Sequence, residues 1–361
     1  MTRPQNKALT GRELAAFGAE LEAVKQRHLA DVGEVDARYI KRIVTAVRYT
    51  ELLGRGLLFF SFIPPLWLLG TLSLALSKIL ENMELGHNVM HGQYDFMNEP
   101  SLRGATYEWD IVGTSDNWRS SHNHKHHTYT NIKGMDDDVG YGLLRLFPEQ
   151  RWSPFFLPQV LYAALLGLLF QWGVAIQELE LGKVAKGKKS WAQLKQEVKP
   201  LLRKANRQLL KDYVVFPLLA GPLFLSVFAG NLVANLLRNL WTFMIIFCGH
   251  FTADAQVFPK SVMDNEEDGH WYLRQLRGSS NLKGSKLFHI LSGNLSHQIE
   301  HHLFPTVPAR RYAEMSVEVQ EICELYGQHY NTGRLHRQFG QVLWRIVRHA
   351  FPSRPEAGLP V

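Results

Sequence analysis

Five apolar runs, each near the roughly 20 residues that cross a bilayer core, limit most strongly what this chain can fold into. Two lie between Ile43 and Leu85, separated by Pro64-Pro65; the others are Phe155 to Ile176, Tyr213 to Ala229 and Leu232 to Cys248. In lipid a backbone must bond its own polar groups, so runs of this length become helices. A mean hydropathy of −0.15 conceals them because charged stretches lie between. The segment His87 to Ser153, rich in His, Asp, Asn and Gly, stays out of lipid. The expected fold class is all-α: an integral membrane four-helix transmembrane bundle with a cytosolic helical cap.

Charge places the runs. The basic stretch Lys183 to Lys211 is cytoplasmic by the positive-inside rule. A site shared by polar segments before and after it requires an even number of crossings between them. Phe155 to Ile176 is therefore read as an interfacial helix (about 155–176), leaving crossings at about 43–63, 66–86, 213–230 and 232–249, with Gly230-Asn231 as the last turn. The alternative is that 155–176 crosses and the hairpin after Tyr213 does not. Arg48, Glu51 and Arg55 stand at helical spacing and turn a polar stripe toward neighbouring helices. Segments 1–42 and 313–361 flank the membrane domain 43–312 as cytosolic ends, and the first lacks the layout of a cleaved signal peptide. The expected location is the bacterial inner membrane, with site and termini cytoplasmic.

Two cysteines, Cys248 and Cys323, are too few for a disulfide framework or a thiolate metal cage. A metal here takes nitrogen or oxygen ligands. The formal charge of +7 suits anionic headgroups or acidic partners, and the apolar runs disfavour nucleic acid.

Sixteen histidines are distributed unevenly. His87 and His91 are four apart, which on a helix puts both imidazoles on one face. His122 and His126 repeat the spacing, with His127 about 100° further round, and His297, His301 and His302 repeat it again. His28, His270, His289, His329, His336 and His349 read as ordinary core or surface residues. Clustered imidazoles repel when charged and leave nitrogens unsatisfied when buried, unless a cation shares their lone pairs. Eight or nine are too many for one ion and suit two. Nitrogen ligands alone admit Zn, Fe, Cu or Ni, but only a redox-active metal splits dioxygen, so iron is favoured for an apolar substrate.

The strings His87-x3-His91, His122-x3-His126-His127 and His297-Gln-Ile-Glu-His-His-Leu-Phe-Pro305 resemble the three histidine boxes of the membrane fatty acid desaturase family, in particular its bacterial acyl-CoA and acyl-lipid members. The likeness runs from about Leu52 to Tyr312. It implies that His87, His91, His122, His126, His127, His301 and His302 bind two Fe, that His250 is a further ligand, and that His297 or Gln298 completes the set. His297 is taken as the ligand, with Gln298 beside it or substituting, and His124 as a neighbour only. Glu84, Asp95, Asp136, Asp137, Asp138 and Glu300 are candidates to orient the imidazoles.

The function this implies is an O2-dependent di-iron oxidoreductase that introduces a cis double bond into a fatty acyl chain, carried as acyl-CoA or phospholipid. Trp109, Trp118, Tyr94 and Tyr107 are expected to line a substrate tunnel, and the basic loop to attract phosphates. With no His-Pro-Gly-Gly haem signature and too few cysteines for an iron–sulfur cluster, electrons are expected from a separate reductase or ferredoxin. A membrane di-iron fatty acid or alkane hydroxylase is the alternative on the same scaffold, distinguished by oxygen gain rather than loss of two hydrogens. A metal transporter would place its histidines within the apolar runs, whereas these lie at or beyond their ends.

Overall fold

The computed structural model describes residues 6–353, so the outermost parts of the expected cytosolic ends, 1–5 and 354–361, lie outside it. The fold is all-α. Its principal helices are α1 (Gly11–Ala30), α2 (Glu34–Leu58), α3 (Pro64–Leu80), α4 (Gln159–Leu168), α5 (Phe170–Gln177), α6 (Trp191–Leu210), α7 (Phe224–His250), α8 (Asp268–Gly278), α9 (Gln298–Leu303), α10 (Tyr312–Leu325) and α11 (Leu335–His349). A short parallel pair joins β1 (Asn281–Lys283) to β2 (Thr332–Arg334). Local chemistry sets several starts: Thr10 and Glu13 form a capping box on α1, and Pro64-Pro65 occupies the first turn of α3, where a missing N–H costs nothing. The chain divides into two compact units, Ala37–Ser121 with Leu165–Phe243, and Met1–Asp36 with His122–Ala164 and Met244–Val361.

In the first of these units α2 crosses α3 on glycine. A Cβ at Gly54 would lie 2.7 Å from the Leu74 nitrogen, so only glycine allows the backbones so close. Ser73 and Ser77 donate from α3 to the carbonyls of Thr50 and Val47 on α2. The polar stripe of α2 turns inward. Arg55 donates to Asp212 at 2.6 Å, Lys78 reaches the other Asp212 oxygen at 2.7 Å, and Asn235 of α7 adds a bond at 3.1 Å. Asp212 sits where the backbone widens into a π-helical turn, Lys211–Val215, directly after α6. One buried carboxylate thus ties α2, α3, the continuation of α6 and α7 together, and it is satisfied from three sides, as buried charge requires.

The expected turn at Gly230-Asn231 is not there. α7 runs through both residues, and the chain reverses nine residues earlier, at Gly221–Leu223, where Gly221 has φ +57°. The pair is a packing device: a Cβ at Gly230 would meet Leu58 at 2.7 Å, and buried Asn231 accepts from Arg55 at 2.5 Å. Among the described residues one helix, Gly221–His250, is by itself long and apolar enough to cross a membrane. The run 155–176 is broken after α4, and the helices on either side of the break bend by 104°.

In the other unit α1 lays Leu14, Phe17, Leu21 and Val24 against α8 and α10, in a core that includes Ile299, Phe304, Tyr312, Met315 and Cys323. This core backs α9. The start of α10 is pinned by Arg311, which donates to Asp36 at 2.7 Å.

Removing the Asp212 carboxylate strands Arg55 and Lys78. Asp212→Ala should therefore cost roughly 3–5 kcal/mol, seen as a large fall in the melting midpoint in detergent. A midpoint equal to wild type would show that the cluster does not hold the helices.

Candidate metal centre

Widened backbone carries His87, His122 and His126. Glu81–His87 and Arg119–His126 are π-helical turns, a rare form concentrated at functional sites. Gly86 permits the first, since a Cβ there would stand 2.8 Å from the Glu81 carbonyl oxygen. His87 and His91 are buried with ring centres 4.7 Å apart, and Trp118 packs edge-on to each at 5.3 and 5.4 Å. These two belong to the unit that contains the Asp212 cluster.

The other unit brings together His122, His126, His127, His250, His301 and His302. His122 stacks on His126 at 5.1 Å, and His127 stands edge-on to His122 at 5.0 Å. His250 ends α7, while His301 and His302 are adjacent on α9 and wholly buried. Donor atoms fall into overlapping groups, each within 4.8 Å: His126, His250 and His302; His127, His301 and His302; His122, His126 and Asp138.

The first group shows which nitrogens are available. His126 donates its Nδ1 proton to Asp136, 3.1 Å from both carboxylate oxygens. His250 Nδ1 faces the Gly278 carbonyl at 3.3 Å, and His302 Nδ1 faces Gln275 Oε1 at 3.0 Å. The Gln275 amide is fixed by its own donation to the His127 carbonyl. With each proton on the outer nitrogen, all three Nε2 lone pairs point inward, 3.3 Å apart for His126 and His250 and 3.0 Å for His250 and His302. Three bare lone pairs facing one another repel, and a cation between them removes the conflict. The residues present therefore fit a metal.

Burial opposes charge on His126, but the Asp136 carboxylate outweighs it and pushes the imidazole up to about 9, so that without a metal its Nε2 holds a proton at neutral pH, which a bound ion would displace. Burial and the neighbouring His127, His250, His126 and His122 hold His302 well below its ordinary value, so its lone pair is unprotonated at neutral pH. Burial raises Glu300 to about 7, against hydrogen bonds from Asn281 and Tyr330.

Gln298, not His297, is the side chain placed against these donors. Its amide nitrogen lies 2.9 Å from His250 Nε2, and its buried Oε1 makes no hydrogen bond among the described residues. His297 precedes α9, packs on His289 at 4.5 Å and is outside the donor groups. The cause is local: Leu295–His297 is a 3-10 turn, so His297 is not on the helical face that carries His301 and His302. Glu84 accepts from Tyr39 at 2.7 Å, Asp95 holds the Gly104 N–H, and His124 is exposed. Trp109 and Trp118 pack with Met90 and Ile111, Tyr107 lies at the edge of that group, and Tyr94 is fully buried. Gln275, Thr130, Asn281 and Tyr330 were not among the sequence candidates. No motif marks them, because each acts through a contact distant in the chain.

A family model described as fatty acid desaturase matches residues 63–334. The chain is 45% identical over 350 residues to the NADPH-dependent stearoyl-CoA 9-desaturase of Mycobacterium tuberculosis, covering 96% of this chain and 82% of that protein. It is 29% identical over 286 residues to the sn-1 linoleoyl-lipid 6-desaturase of Synechocystis, covering 76% and 77% of the two chains.

Asp136→Asn should weaken metal affinity by roughly 10–100-fold through the loss of the partner that orients His126, while His297→Ala keeps wild-type metal content by elemental analysis. Metal loss from the His297 variant, or none from the Asp136 variant, would contradict this geometry.

Proposed function

The chain belongs to the fatty acid desaturase family and is an oxidoreductase of fatty acyl chains, and from that premise we propose that it is an O2-dependent di-iron enzyme that inserts a cis double bond. The observation that carries this reading is the inward convergence of the His126, His250 and His302 lone pairs. His127, His301 and His122 extend the set toward a second ion, and His87 and His91 join it by the order and spacing of the histidine boxes. Gln298 takes the place expected of His297. When bound, two irons supply with O2 the oxidant that an unactivated C–H bond needs, because no side-chain acid or base removes such a proton.

The protein's own part is positioning and exclusion. Asp136 and Gln275 lock the rings of His126 and His302 through their outer nitrogens, so Nε2 is the atom presented. Glu300, on α9 itself, accepts from Asn281 and Tyr330 and so fixes that helix without facing water. The buried setting keeps water from competing for the oxidant.

For the substrate we propose an acyl-CoA with a long saturated chain, desaturated at carbon 9, because identity to the stearoyl-CoA enzyme exceeds that to the acyl-lipid one. The name of that relative also supports a separate NADPH-dependent reductase as electron donor. We propose that the chain crosses the membrane four times, α2, α3 and α7 among the crossings, with the bent α4–α5 pair at the interface. Residues 43–312 then form the membrane domain, and both chain ends are cytoplasmic.

Expression in a host with saturated lipids, together with a reductase, should yield acyl chains lighter by two hydrogens, and His126→Ala should abolish them. Chains heavier by one oxygen would assign the hydroxylase reaction instead. Purified protein given acyl-CoA, O2 and NADPH but no reductase should be inactive; turnover under those conditions would refute a separate donor.

A further inference from the structure

The last helix, α11, buries Val342, Arg345 and Ile346 against its unit and leaves a second apolar stripe outside. Leu343, Trp344 and Val347 are 45%, 67% and 40% exposed, and Phe351 just beyond the helix is 56% exposed. Their spacing of three and four residues places them on one face. Exposed Arg337 and Arg348 stand seven residues before and four after Trp344, so both lie beside this stripe. An apolar stripe with Trp at its centre and arginine beside it is the pattern of a helix lying in a membrane interface.

The neighbouring segment determines what covers it. Phe155, Leu157, Val160 and Leu161 are also exposed, between 48% and 59%. This segment is fastened to α11 by buried polar contacts. Gln159 donates to the Ile346 carbonyl at 2.5 Å, and Trp152 to the Ala350 carbonyl at 2.8 Å. Arg145, itself almost fully buried, donates to the carbonyls of His349 and Phe351 at 3.3 and 3.2 Å, closing the helix C-terminus. The two apolar surfaces are therefore held together. Burying these large side chains in the boundary between headgroups and acyl chains gains free energy in proportion to area, while Arg337 and Arg348 stay with the phosphates.

We infer that α11 is a membrane-docking helix: its Leu343, Trp344, Val347 and Phe351 face lies in the lipid interface beside residues 155–161, anchoring the C-terminal segment to the bilayer. This revises the expectation of a wholly cytosolic 313–361 segment and rests on the membrane reading proposed above.

The test is spin-label accessibility in the full-length protein reconstituted into phosphatidylglycerol-containing nanodiscs. Labels are placed singly at Val347→Cys, at Leu225→Cys on α7 (Leu225 being 78% exposed) and at solvent-facing Gln320→Cys. Native Cys248 and Cys323 are buried. The Val347 label should collide readily with O2 and lose access to the water-soluble nickel reagent, as the Leu225 label does and the Gln320 label does not. Nickel access at Val347 with lipid exposure at Leu225 would overturn the docking helix alone. Nickel access at both would overturn the membrane reading with it. Protection at Val347 from both O2 and nickel would assign the face to a protein partner and also overturn the inference.

Discussion

An imidazole whose proton is held on its outer nitrogen presents a bare lone pair on the other, and at His126, His250 and His302 three of these point into the same small space. The outer nitrogens face Asp136, Gly278 and Gln275, and the Gln298 amide stands 2.9 Å from the inner nitrogen of His250. Imidazoles buried this close cost stability unless a cation shares their lone pairs, and the cluster is compatible with metal binding. The surrounding features follow from that need: a buried α9, a carboxylate behind His126, and an amide fixed by a backbone carbonyl behind His302.

The helix bundle meets a different constraint with the same chemistry. Arg55, Lys78 and Asp212 are all buried, and none is tolerable without the others. An apolar replacement of the whole group could match its stability. What the carboxylate adds is a fixed geometry among helices whose remaining contacts are apolar and therefore weakly directional. Gly54 and Gly230 add close approach at two crossings, where any side chain would collide with backbone or with Leu58.

Much of the candidate site is legible in the sequence, because a chelating spacing of histidines repeats. His122, His126, His127, His301 and His302 declare themselves by interval, and His250 by its place after an apolar run. The α-helical reading of the intervals missed the π-helical turns that carry His87, His122 and His126, since backbone widening has no compositional mark. Donor strength favours His297 over Gln298, yet a 3-10 turn before α9 sets which side chain faces His250. Gly230-Asn231 reads as a turn by composition and is a helix contact, because tertiary packing overrides turn propensity. The hairpin bend nearby falls instead at Gly221-Pro222. Gln275 and Asn281 could not be foreseen, since their partners lie on segments remote in sequence.

The central claim is that these imidazoles hold redox-active iron, and X-ray absorption at the iron edge of the purified, active enzyme tests it most directly. The account predicts two irons per chain, each with a nitrogen shell showing the multiple scattering of several imidazoles. Full activity with zinc and no iron, or an iron shell lacking imidazole scattering, would contradict it.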